Sequence, residues 1–480
     1  MVTLAANAGT VPAVVVAAPA SGSGKTTVAT GLIGALRRVG HRVAPFKVGP
    51  DYIDPGYHGL AAGRPGRNLD PVLVGMDRVV PLYRHGAQGC DLAVVEGVMG
   101  LFDGRIDENQ AGPIAEGSTA QVAGLLGAPV VLVVDARGHS QSLAALLHGF
   151  ATFESTIRLG GVILNRVGSE RHDQVLRAAC DRVGLPVLGS LPRMAELEVP
   201  SRHLGLIPAV EHGAAATAAV EAMTDLVAAH LDLRAIAALA HSTVAGPAWD
   251  PRMELAIPAE DRPTAEAAAV AGFEPVIAIA GGPAFTFGYA EHRELLIAAG
   301  AQAVVFDPMH DELPTGTAGL VLPGGFPEEH AADLAANARL LAQVAEQARR
   351  GMPVHAECAG LLYLTRSLDG HTMAGVVDAA AEFGPRLTLG YRDAVALTDS
   401  PLWRAGERVR GHEFHRTRLI ATDTDTPAWG WHAGGERVRE GALVHRVHAS
   451  YLHTHPAGNP EAIGRFVAAA VDYARTRAAT

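Results

Sequence analysis

Short apolar runs alternate with helix-forming stretches in two separate parts of this chain, and this alternation constrains the fold more than any other feature. The first series ends near residue 210 and contains AVVVAAP, RVAPFKV, DLAVVEG, VVLVVDA, GVILNRV and PVLGSLP. The second series contains EPVIAIAGG, AQAVVFDP, AGLVLPGG and MPVHAEC. Strands that alternate with helices favour parallel sheets covered by helices on both faces. The sequence therefore predicts two α/β domains.

A change of composition separates the two series. Residues 213–272 are rich in alanine, are interrupted by prolines and contain no strand-like run, which indicates a helix followed by a linker. The 480 residues also exceed what one ordinary core accommodates. We predict a first domain at 1–212, a connecting segment at 213–272 and a second domain at 273–480.

Composition and charge exclude several classes of protein. Hydrophobic residues make up 48% of the chain and charged residues 19%, which is typical of a globular protein with a large interior. The net charge of −11 argues against nucleic acid or a membrane surface as a general partner, because both require a basic face. No run approaches the roughly eighteen uninterrupted apolar residues of a membrane span. We therefore expect small-molecule partners.

The cysteines and the first apolar run bear on the compartment. Three scattered cysteines are too few for a disulfide framework or a four-thiolate zinc site. The run VPAVVVAAPA has no Lys or Arg before it and ends directly in a glycine turn, so it is a poor signal peptide. We expect a cytoplasmic protein.

A glycine-rich turn lies between the first apolar run and a helix-forming stretch. Such a turn holds a polyphosphate, because glycines let the backbone approach the anion while N–H groups and a helix N-terminus point at it. A lysine in the turn binds the phosphate oxygens, and the hydroxyl of the next residue coordinates Mg²⁺. We assign nucleotide binding to Gly22, Ser23, Gly24, Lys25, Thr26 and Thr27.

Alternatives stay open around this turn. The strict eight-residue pattern has Gly where this chain has Pro19, so a Gly/Ser turn with a solvated lysine is the competing interpretation. Asn165 ends a later apolar run. It faces an adenine base or is simply a turn residue.

Acidic residues follow the next two apolar runs. Lys47, Asp51 and Asp54 come at or after the second run, and Glu96 and Asp103 follow the third. Ligands of open α/β sheets gather at the carboxyl ends of strands. Mg²⁺ needs only one or two carboxylates beside waters and phosphate oxygens, so the surplus indicates a second task, such as orienting a substrate carboxylate. Any single one of these side chains also fits a turn former or a helix cap.

The segment MPVHAECAGLLYL runs from a strand into a helix with Cys358 at the junction. A nucleophile on such a turn projects from the sheet, and we expect the helix N-terminus to lower its pKa and to donate N–H groups to an oxyanion. Cys90 and Cys180 resemble small apolar residues, and a buried structural cysteine is the alternative for Cys358 too. The segment HASYLHTHPAGNP offers His453, or in second place His455, as the base that forms the thiolate.

Seven motifs together resemble those of the cobyrinic acid a,c-diamide synthase family, which includes forms acting on hydrogenobyrinic acid: APASGSGKTT, KVGPDYIDPGYH, EGVMGLFDG, LPGGFPEEHAADLAAN, HAECAGLLYL, GHEFH and SYLHTH. The resemblance covers nearly the whole chain. It implies an α/β protein with a dethiobiotin-synthetase-like P-loop NTPase domain, built on a parallel sheet, followed by a class I glutamine amidotransferase domain. In that family ATP and glutamine are consumed to amidate the a and c acetate side chains of a corrin ring.

The resemblance also implies roles by position. It makes Cys358 the nucleophile and His453 its base, and GGFPE at 324–328 the turn whose backbone stabilises the glutaminase oxyanion. ATP is the implied co-substrate and Mg²⁺ the implied cofactor. The implied metal ligands are Thr26, Asp51 and Glu96. The residues implied in substrate handling or phosphoryl transfer are Asp54 and Asp103.

Several positions depart from the family pattern. Class I glutaminases usually follow His-Pro with a Glu that orients the imidazole, whereas Pro456 leads to Ala457 here, so the orienting group is unassigned. Ala356 replaces the first Gly of the Gly-x-Cys-x-Gly turn, which ordinary strand dihedrals permit. Ala359 stands where the cobalamin group often has Gly.

Three other functions fit parts of the sequence. Cobyric acid synthase shares both domains but amidates four other side chains, and its phosphate loop usually opens with a Gln-Gly-Thr type of sequence. A partitioning-type P-loop ATPase switch usually has an early lysine where this chain has Ala20, and it needs no Cys–His pair. An amidotransferase of peptidoglycan modification leaves GPDYIDPGYH and GLFDG unexplained. The sequence leaves open whether the ring holds cobalt, which acetate reacts first and whether the chain forms a homodimer.

Overall fold

The computed structural model describes residues 10–106, 112–193, 201–202, 205–206, 208–255, 274–420 and 426–478. The chain divides into two compact units, Met1–Trp249 and Asp250–Thr480. Across the described ranges, no helix combines the length and apolar character that a membrane crossing requires.

Seven parallel strands form the sheet of the first unit: β1 (Ala13–Ala17), β2 (Val43–Val48), β3 (Arg67–Leu69), β4 (Leu92–Glu96), β5 (Val130–Asp135), β6 (Leu159–Val167) and β7 (Val187–Pro192). Their order is β3-β2-β4-β1-β5-β6-β7, with β1 at the centre. The central strands read as continuous apolar runs because helices cover both faces of a parallel sheet. The predicted parallel sheet of the first domain is confirmed.

Ten helices of the first unit lie within the described residues: α1 (Lys25–Arg38), α2 (Asp54–Ala62), α3 (Pro71–Val74), α4 (Met76–Gly86), α5 (Thr119–Leu126), α6 (Leu143–Thr152), α7 (Glu170–Val183), α8 (Ala209–His212), α9 (Ala214–His230) and α10 (Leu233–Leu239). Two short strands, β8 (Ser201–Arg202) and β9 (Gly205–Leu206), pair with each other. The phosphate-loop turn lies between the end of the central strand β1 at Ala17 and the start of α1 at Lys25.

Helix α9 belongs to the first unit and packs on α1. A Cβ at Gly31 would lie 2.3 Å from the Met223 carbonyl oxygen, and one at Gly34 would lie 2.1 Å from the Thr224 hydroxyl. Glycine on α1 therefore permits a close helix–helix approach that fixes α1 behind the turn. Residues 256–272 of the predicted connecting segment lie outside the described residues.

The second unit contains thirteen strands within the described residues: β10 (Val276–Ala280), β11 (Gln302–Phe306), β12 (Thr317–Leu322), β13 (Val354–Glu357), β14 (Ser367–Leu368), β15 (His371–Thr372), β16 (Ala380–Ala396), β17 (Arg408–Ile420), β18 (Trp429–Ala433), β19 (Glu436–Glu440), β20 (Ala442–Val444), β21 (Val447–Ser450) and β22 (His453–Thr454). Its helices are α11 (Pro251–Glu254), α12 (Ala290–Ala298), α13 (Ala331–Ala336), α14 (Ala338–Arg349), α15 (Ala359–Leu364) and α16 (Pro460–Ala478).

Two sheets organise these strands. The first has the order β11-β10-β12-β13-β21-β20, in which only β20 runs antiparallel to its neighbour. The second has the order β15-β14-β16-β17-β22 and centres on the long antiparallel pair β16–β17. The predicted α/β domain is confirmed, and the second sheet is an addition to it. In the first of these sheets, β13 ends directly before Cys358. In the second sheet, β22 contains His453.

Candidate active sites

The phosphate-loop turn depends on two glycines in the left-handed backbone region. Gly22 has φ 77° and Gly24 has φ 93°, values that L side chains rarely adopt. Gly24 caps α1, and a Cβ there would lie only 2.2 Å from the Asn165 side-chain nitrogen. The turn therefore aims the N-terminus of α1 at a position where an anion is stabilised.

The end of β6 supports this turn. Asn165 donates from Nδ2 to the Ser23 carbonyl oxygen at 2.9 Å, and its Oδ1 accepts from the Arg166 backbone N–H at 2.9 Å. The Arg166 guanidinium donates to the Gly22 carbonyl oxygen at 2.8 Å. Asn165 thus holds the loop, and its contact with an adenine base stays a prediction. Sequence reasoning missed Arg166, since only its position after Asn165 pointed to it.

Lys25 is largely buried and lies against a second turn. Its Nζ donates to the Met99 carbonyl oxygen at 2.5 Å, and Met99 has an unusual φ of 45°. The same turn is closed by Asp103, whose Oδ2 accepts from the Gly100 N–H at 2.9 Å. Burial, helped by the Lys47 ammonium, lowers the pKa of Lys25 to about 8. A backbone carbonyl therefore holds the lysine that we assign to phosphate.

Carboxylates from two neighbouring elements converge on Lys47. Lys47 and Glu96 are register partners on the adjacent strands β2 and β4, which places their side chains together. The Lys47 Nζ lies 2.6 Å from Asp54 Oδ2 and 2.9 Å from Glu96 Oε1. The Thr26 hydroxyl lies 2.7 Å from Glu96 Oε1 and 3.2 Å from Asp54 Oδ2. The structure thus brings the phosphate loop and the predicted acidic residues into one cluster.

Lys47 and Glu96 keep their charges by pairing, whereas burial and the neighbouring Asp51 and Glu96 carboxylates raise the pKa of Asp54 to about 7. Burial alone would lower the pKa of Lys47, but Asp54 and Glu96 outweigh it and raise that pKa above its ordinary value. Burial alone would raise the pKa of Glu96, but Lys47 and His58 outweigh it and hold that pKa below its ordinary range. His58 Nε2 lies 2.7 Å from Glu96 Oε2. Sequence reasoning missed His58, although its position four residues after Asp54 places both on one face of α2.

Asp51 has a structural role in this state. Its Oδ1 accepts from the N–H groups of Ile53 and Asp54, each at 2.9 Å, at the start of α2. Its Oδ2 lies 3.8 Å from the Lys47 ammonium. The helix-cap interpretation therefore fits one of its oxygens, and the other faces the charged cluster.

The second site is built on a strained turn. Cys358 follows β13 directly and has φ 48° and ψ −98°, a conformation rare for a residue with a side chain. Its N–H donates to the Ser450 carbonyl oxygen at 2.7 Å. A Cβ at Gly360 would lie 2.2 Å from the Leu322 carbonyl oxygen, so a glycine lets α15 start against the sheet. Backbone strain of this kind concentrates at functional sites.

The acidity of the Cys358 thiol corrects one sequence-based expectation. Burial raises the pKa of this thiol well above its ordinary value, and the Glu328 carboxylate raises it further. The N–H groups of Ala359 and Gly325 act in the opposite direction but do not outweigh burial. The helix N-terminus acts in the expected direction, but the desolvation of a buried thiolate exceeds its effect, so the pKa of the thiol is raised rather than lowered.

A glycine pair in the GGFPE segment borders both proposed catalytic side chains. The Gly325 N–H is directed at the Cys358 sulfur. A Cβ at Gly324 would lie 2.3 Å from His453 Cε1. The resemblance places the oxyanion donors in this segment, and the structure brings it beside the thiol and the imidazole.

The two candidate histidines have different surroundings. His453 is fully buried in β22 opposite His412, and burial lowers its pKa to about 4 while the nearby Glu357 carboxylate acts to raise it. His455 is also buried, but its Nδ1 accepts from the Ala457 N–H at 3.2 Å and caps the turn Pro456–Gly458. The geometry therefore favours His453 as the base.

Sequence reasoning missed one buried carboxylate beside His453. Glu357 Oε2 lies 3.9 Å from His453 Nδ1. Its other oxygen accepts from the Thr454 N–H at 3.0 Å and from the Thr454 hydroxyl at 2.8 Å. The available signal was a charged residue within the apolar strand that leads to the cysteine.

Two family profiles match this chain. The profile described as the CobQ/CobB/MinD/ParA nucleotide binding domain matches residues 14–207. The profile described as the CobB/CobQ-like glutamine amidotransferase domain matches residues 276–460. The first range contains the phosphate-loop turn and the charged cluster, and the second contains the cysteine, the glycine pair and the histidine.

Similar proteins extend over nearly the whole chain. Hydrogenobyrinate a,c-diamide synthase of Mycobacterium bovis is 61% identical over 459 residues, which are 95% of this chain and 98% of the relative. The Streptomyces coelicolor protein of the same name is 56% identical over 95% of this chain and 97% of its own. Cobyrinate a,c-diamide synthase of Gloeobacter violaceus is 41% identical over 95% and 96%. This chain therefore belongs to the a,c-diamide synthase family of amidating enzymes, with a nucleotide binding domain followed by a glutamine amidotransferase domain.

Proposed function

We propose that this chain is a carbon–nitrogen ligase that amidates the a and c acetate carboxylates of hydrogenobyrinic or cobyrinic acid in cobalamin biosynthesis. The names of the relatives support this substrate class. The observation that carries the proposal is the strained Cys358 beside the Gly324–Gly325 pair, in the same chain as a phosphate loop. A carboxylate does not react with ammonia directly, because its leaving group would be oxide. ATP must first convert it into an acyl phosphate.

The synthetase half uses the first site. The N–H groups at the start of α1 bind phosphate oxygens, and Lys25 exchanges the Met99 carbonyl for the transferring phosphoryl group. Lys47 orients Asp54 and Glu96 around that position. The corrin carboxylate oxygen attacks the γ-phosphorus of ATP, ADP leaves, and an acyl phosphate forms.

The first site also fits Mg²⁺. Hydroxyl and carboxylate oxygens are ligands that this ion prefers. The Thr26 hydroxyl and Glu96 Oε1 lie 2.7 Å apart, and Asp51 Oδ2 lies 3.8 Å from the Lys47 ammonium of the same cluster. Among the described residues, no group of three or more His, Cys, Asp or Glu side chains is arranged to hold a metal by itself, so waters and ATP phosphates would complete the coordination. When bound, Mg²⁺ neutralises charge on the phosphates.

The glutaminase half uses the second site. His453 takes the thiol proton as the Cys358 sulfur attacks the side-chain carbonyl of glutamine. The N–H groups of Gly325 and Ala359, which are directed at the Cys358 sulfur, would stabilise the oxyanion that develops beside it. The imidazolium returns the proton to the leaving nitrogen, ammonia departs, and water hydrolyses the thioester to glutamate. Ammonia then attacks the acyl phosphate, phosphate leaves, and the amide remains.

The free thiols support a cytoplasmic location. Cys90, Cys180 and Cys358 are all free, which fits the reducing cytoplasm. A reducing environment also protects a nucleophilic thiol from oxidation.

Product mass tests the proposal directly. The purified protein is incubated with ATP, Mg²⁺, glutamine and either hydrogenobyrinic acid or cobyrinic acid, and products are followed by mass spectrometry. Each amidation changes the mass by the same step, so two steps are expected. Four steps would favour a cobyric acid synthase instead. No ATP-dependent mass change with either corrin would contradict the proposal, and comparing the two rates shows whether cobalt is preferred.

A further inference from the structure

Class I glutaminases usually carry the glutamate that orients the imidazole shortly after the catalytic histidine, and no glutamate follows His453 closely in this chain. A buried carboxylate approaches the same imidazole from another strand. The geometry points to Glu357 as the positioning residue of His453, in place of the absent glutamate. This inference rests on the proposed glutaminase role of the second site.

Glu357 is tied to the strand that carries the base. Its Oε1 accepts from the backbone N–H and the hydroxyl of Thr454, the residue directly after His453, at 3.0 and 2.8 Å. His355 Nε2 lies 3.2 Å from the same oxygen. Three contacts therefore fix one carboxylate oxygen, which leaves Oε2 beside the imidazole of His453 at 3.9 Å.

The orientation of the contact suits a base. Because Oε2 lies nearest Nδ1, it favours a proton on Nδ1 and leaves Nε2 with the lone pair that accepts the thiol proton. A separation of 3.9 Å exceeds a hydrogen bond, so in this state the contact is electrostatic. Hydrogen bonds of catalytic groups often shorten only when the substrate is bound and charge develops. The attraction would then be strongest for the imidazolium that forms during the reaction.

Other charged or titratable groups near His453 come from β17: His412, Glu413 and His415. Glu413 is paired with Arg392 at 2.6 Å, so its charge is compensated. Burial alone would raise the pKa of Glu357, but its hydrogen bonds and the nearby histidines outweigh this and lower it to about 2. Glu357 therefore remains ionised at every pH at which the protein would be assayed.

Glu357→Gln tests the inference, since it removes the charge and keeps the size. We expect kcat of glutamine hydrolysis to fall about 10²-fold, with KM for glutamine little changed, because general base catalysis contributes about 10² to 10⁴. The Glu357 carboxylate also acts directly to raise the pKa of the Cys358 thiol, so loss of its charge alone would move the pH profile of Cys358 alkylation downward. Because Glu357 acts through His453 in this inference, the profile of alkylation by iodoacetamide, followed on the Cys358 peptide by mass spectrometry, should instead move upward by about one pH unit. A downward movement would mean that Glu357 is only a charge beside the thiol and would overturn the inference. Synthesis from ammonium salt should persist. Glu291→Gln, the same change at another buried carboxylate of this unit, should leave all three unchanged.

Thr454→Val serves as a second variant, because it removes one bond to Glu357 and keeps the charge. It should shift the pH profile of Cys358 alkylation in the same direction as Glu357→Gln, but by a smaller amount. If Glu357→Gln does not fold, Thr454→Val alone tests the role of Glu357. An unchanged alkylation profile and kcat in the variant that folds would overturn the inference while leaving the glutaminase role intact. Glutamine hydrolysis that survives Cys358→Ala would instead overturn the proposed function on which the inference rests.

Discussion

The two sites share one backbone arrangement, but the first is surrounded by charged side chains and the second favours neutral ones. In each, a strand of a parallel sheet enters a tight turn and then a helix, and the turn requires backbone with positive φ. At the first turn Gly22 and Gly24 adopt that conformation freely, whereas at the second Cys358 adopts it with a side chain. Charged side chains surround the first turn. Burial around the second favours the neutral forms of the thiol and the imidazole.

This difference follows from what each site must hold. A phosphate site needs charge. Lys47 keeps its charge by contacting carboxylates, whereas Lys25, whose pKa burial lowers to about 8, contacts a carbonyl oxygen until an anion arrives. A thiol site gains from a nucleophile that forms only with its substrate, because a permanent thiolate is readily oxidised. Strain and desolvation at Cys358 suit that requirement. The two sites should therefore respond differently to the same kind of change.

The largest effect is expected at the first site. Lys25→Ala should reduce synthesis from either glutamine or ammonia by about 10³-fold or more, since it removes the cation that stabilises the transferring phosphoryl group. Glutamine hydrolysis should continue, because the thiol site is built from other residues. Product mass and glutamate release measure the two activities separately. Arg38→Ala, an exposed change on the same helix, is the control. An unchanged rate of synthesis in the Lys25 variant would contradict the assignment of phosphoryl transfer to the first site.

Glu96→Gln should have the next largest effect. It replaces the carboxylate that contacts Lys47, Thr26 and His58 with a neutral amide. We expect the rate of synthesis to fall about 10²-fold and to recover in part at high Mg²⁺ concentration. Initial rates over a Mg²⁺ series measure this. Asp91→Asn, an exposed carboxylate just before the same strand, should behave as the unchanged protein. A defect that does not change with the Mg²⁺ concentration would mean that Glu96 acts by pairing with Lys47 and not by binding the metal.

Gly324→Ala should affect only the second site. The new Cβ would lie 2.3 Å from His453 Cε1 and displace the imidazole, so glutamine hydrolysis should fall about 10- to 10²-fold while synthesis from ammonium salt remains. Gly288→Ala is the matched control, since nothing lies within 4 Å of its Cβ position. Normal hydrolysis in the Gly324 variant would show that His453 is not the base.

The smallest effect concerns pH. Burial lowers the pKa of His453 to about 4, so the imidazole stays neutral and able to accept a proton well below the ordinary histidine range. We expect kcat/KM for glutamine to change less than about twofold between pH 8 and pH 6, because the base is lost only as the pH approaches about 4. A fall with a midpoint near the ordinary histidine pKa of about 6.5 would mean that the base is solvated.

Features carried by local patterns could be predicted from the sequence. Apolar runs that alternate with helices identified both parallel sheets, and two glycines before Lys25 identified the phosphate-loop turn. The strand-to-helix junction at Cys358 was equally local. These predictions succeeded because each depends on residues close together in the chain.

Features that depend on distant contacts were missed or wrong. The antiparallel pair β16–β17 was missed because its exposed faces are polar and lack the apolar runs of a buried strand. The contact of Glu357 with Thr454 joins residues 97 apart in sequence, which no local pattern reveals. The pKa of Cys358 was misjudged for the same reason, since burial by distant segments outweighs the local N–H groups.

The central claim is that Cys358 only supplies ammonia and that the phosphate site only activates the carboxylate. Cys358→Ala tests it most directly, with synthesis measured from glutamine and from a high concentration of ammonium salt at alkaline pH, where free NH₃ is available. The account predicts that glutamine-dependent synthesis is lost while ammonia-dependent synthesis continues at the unchanged protein's rate. A folded, ATP-binding Cys358→Ala variant that makes no amide from ammonia would contradict the account.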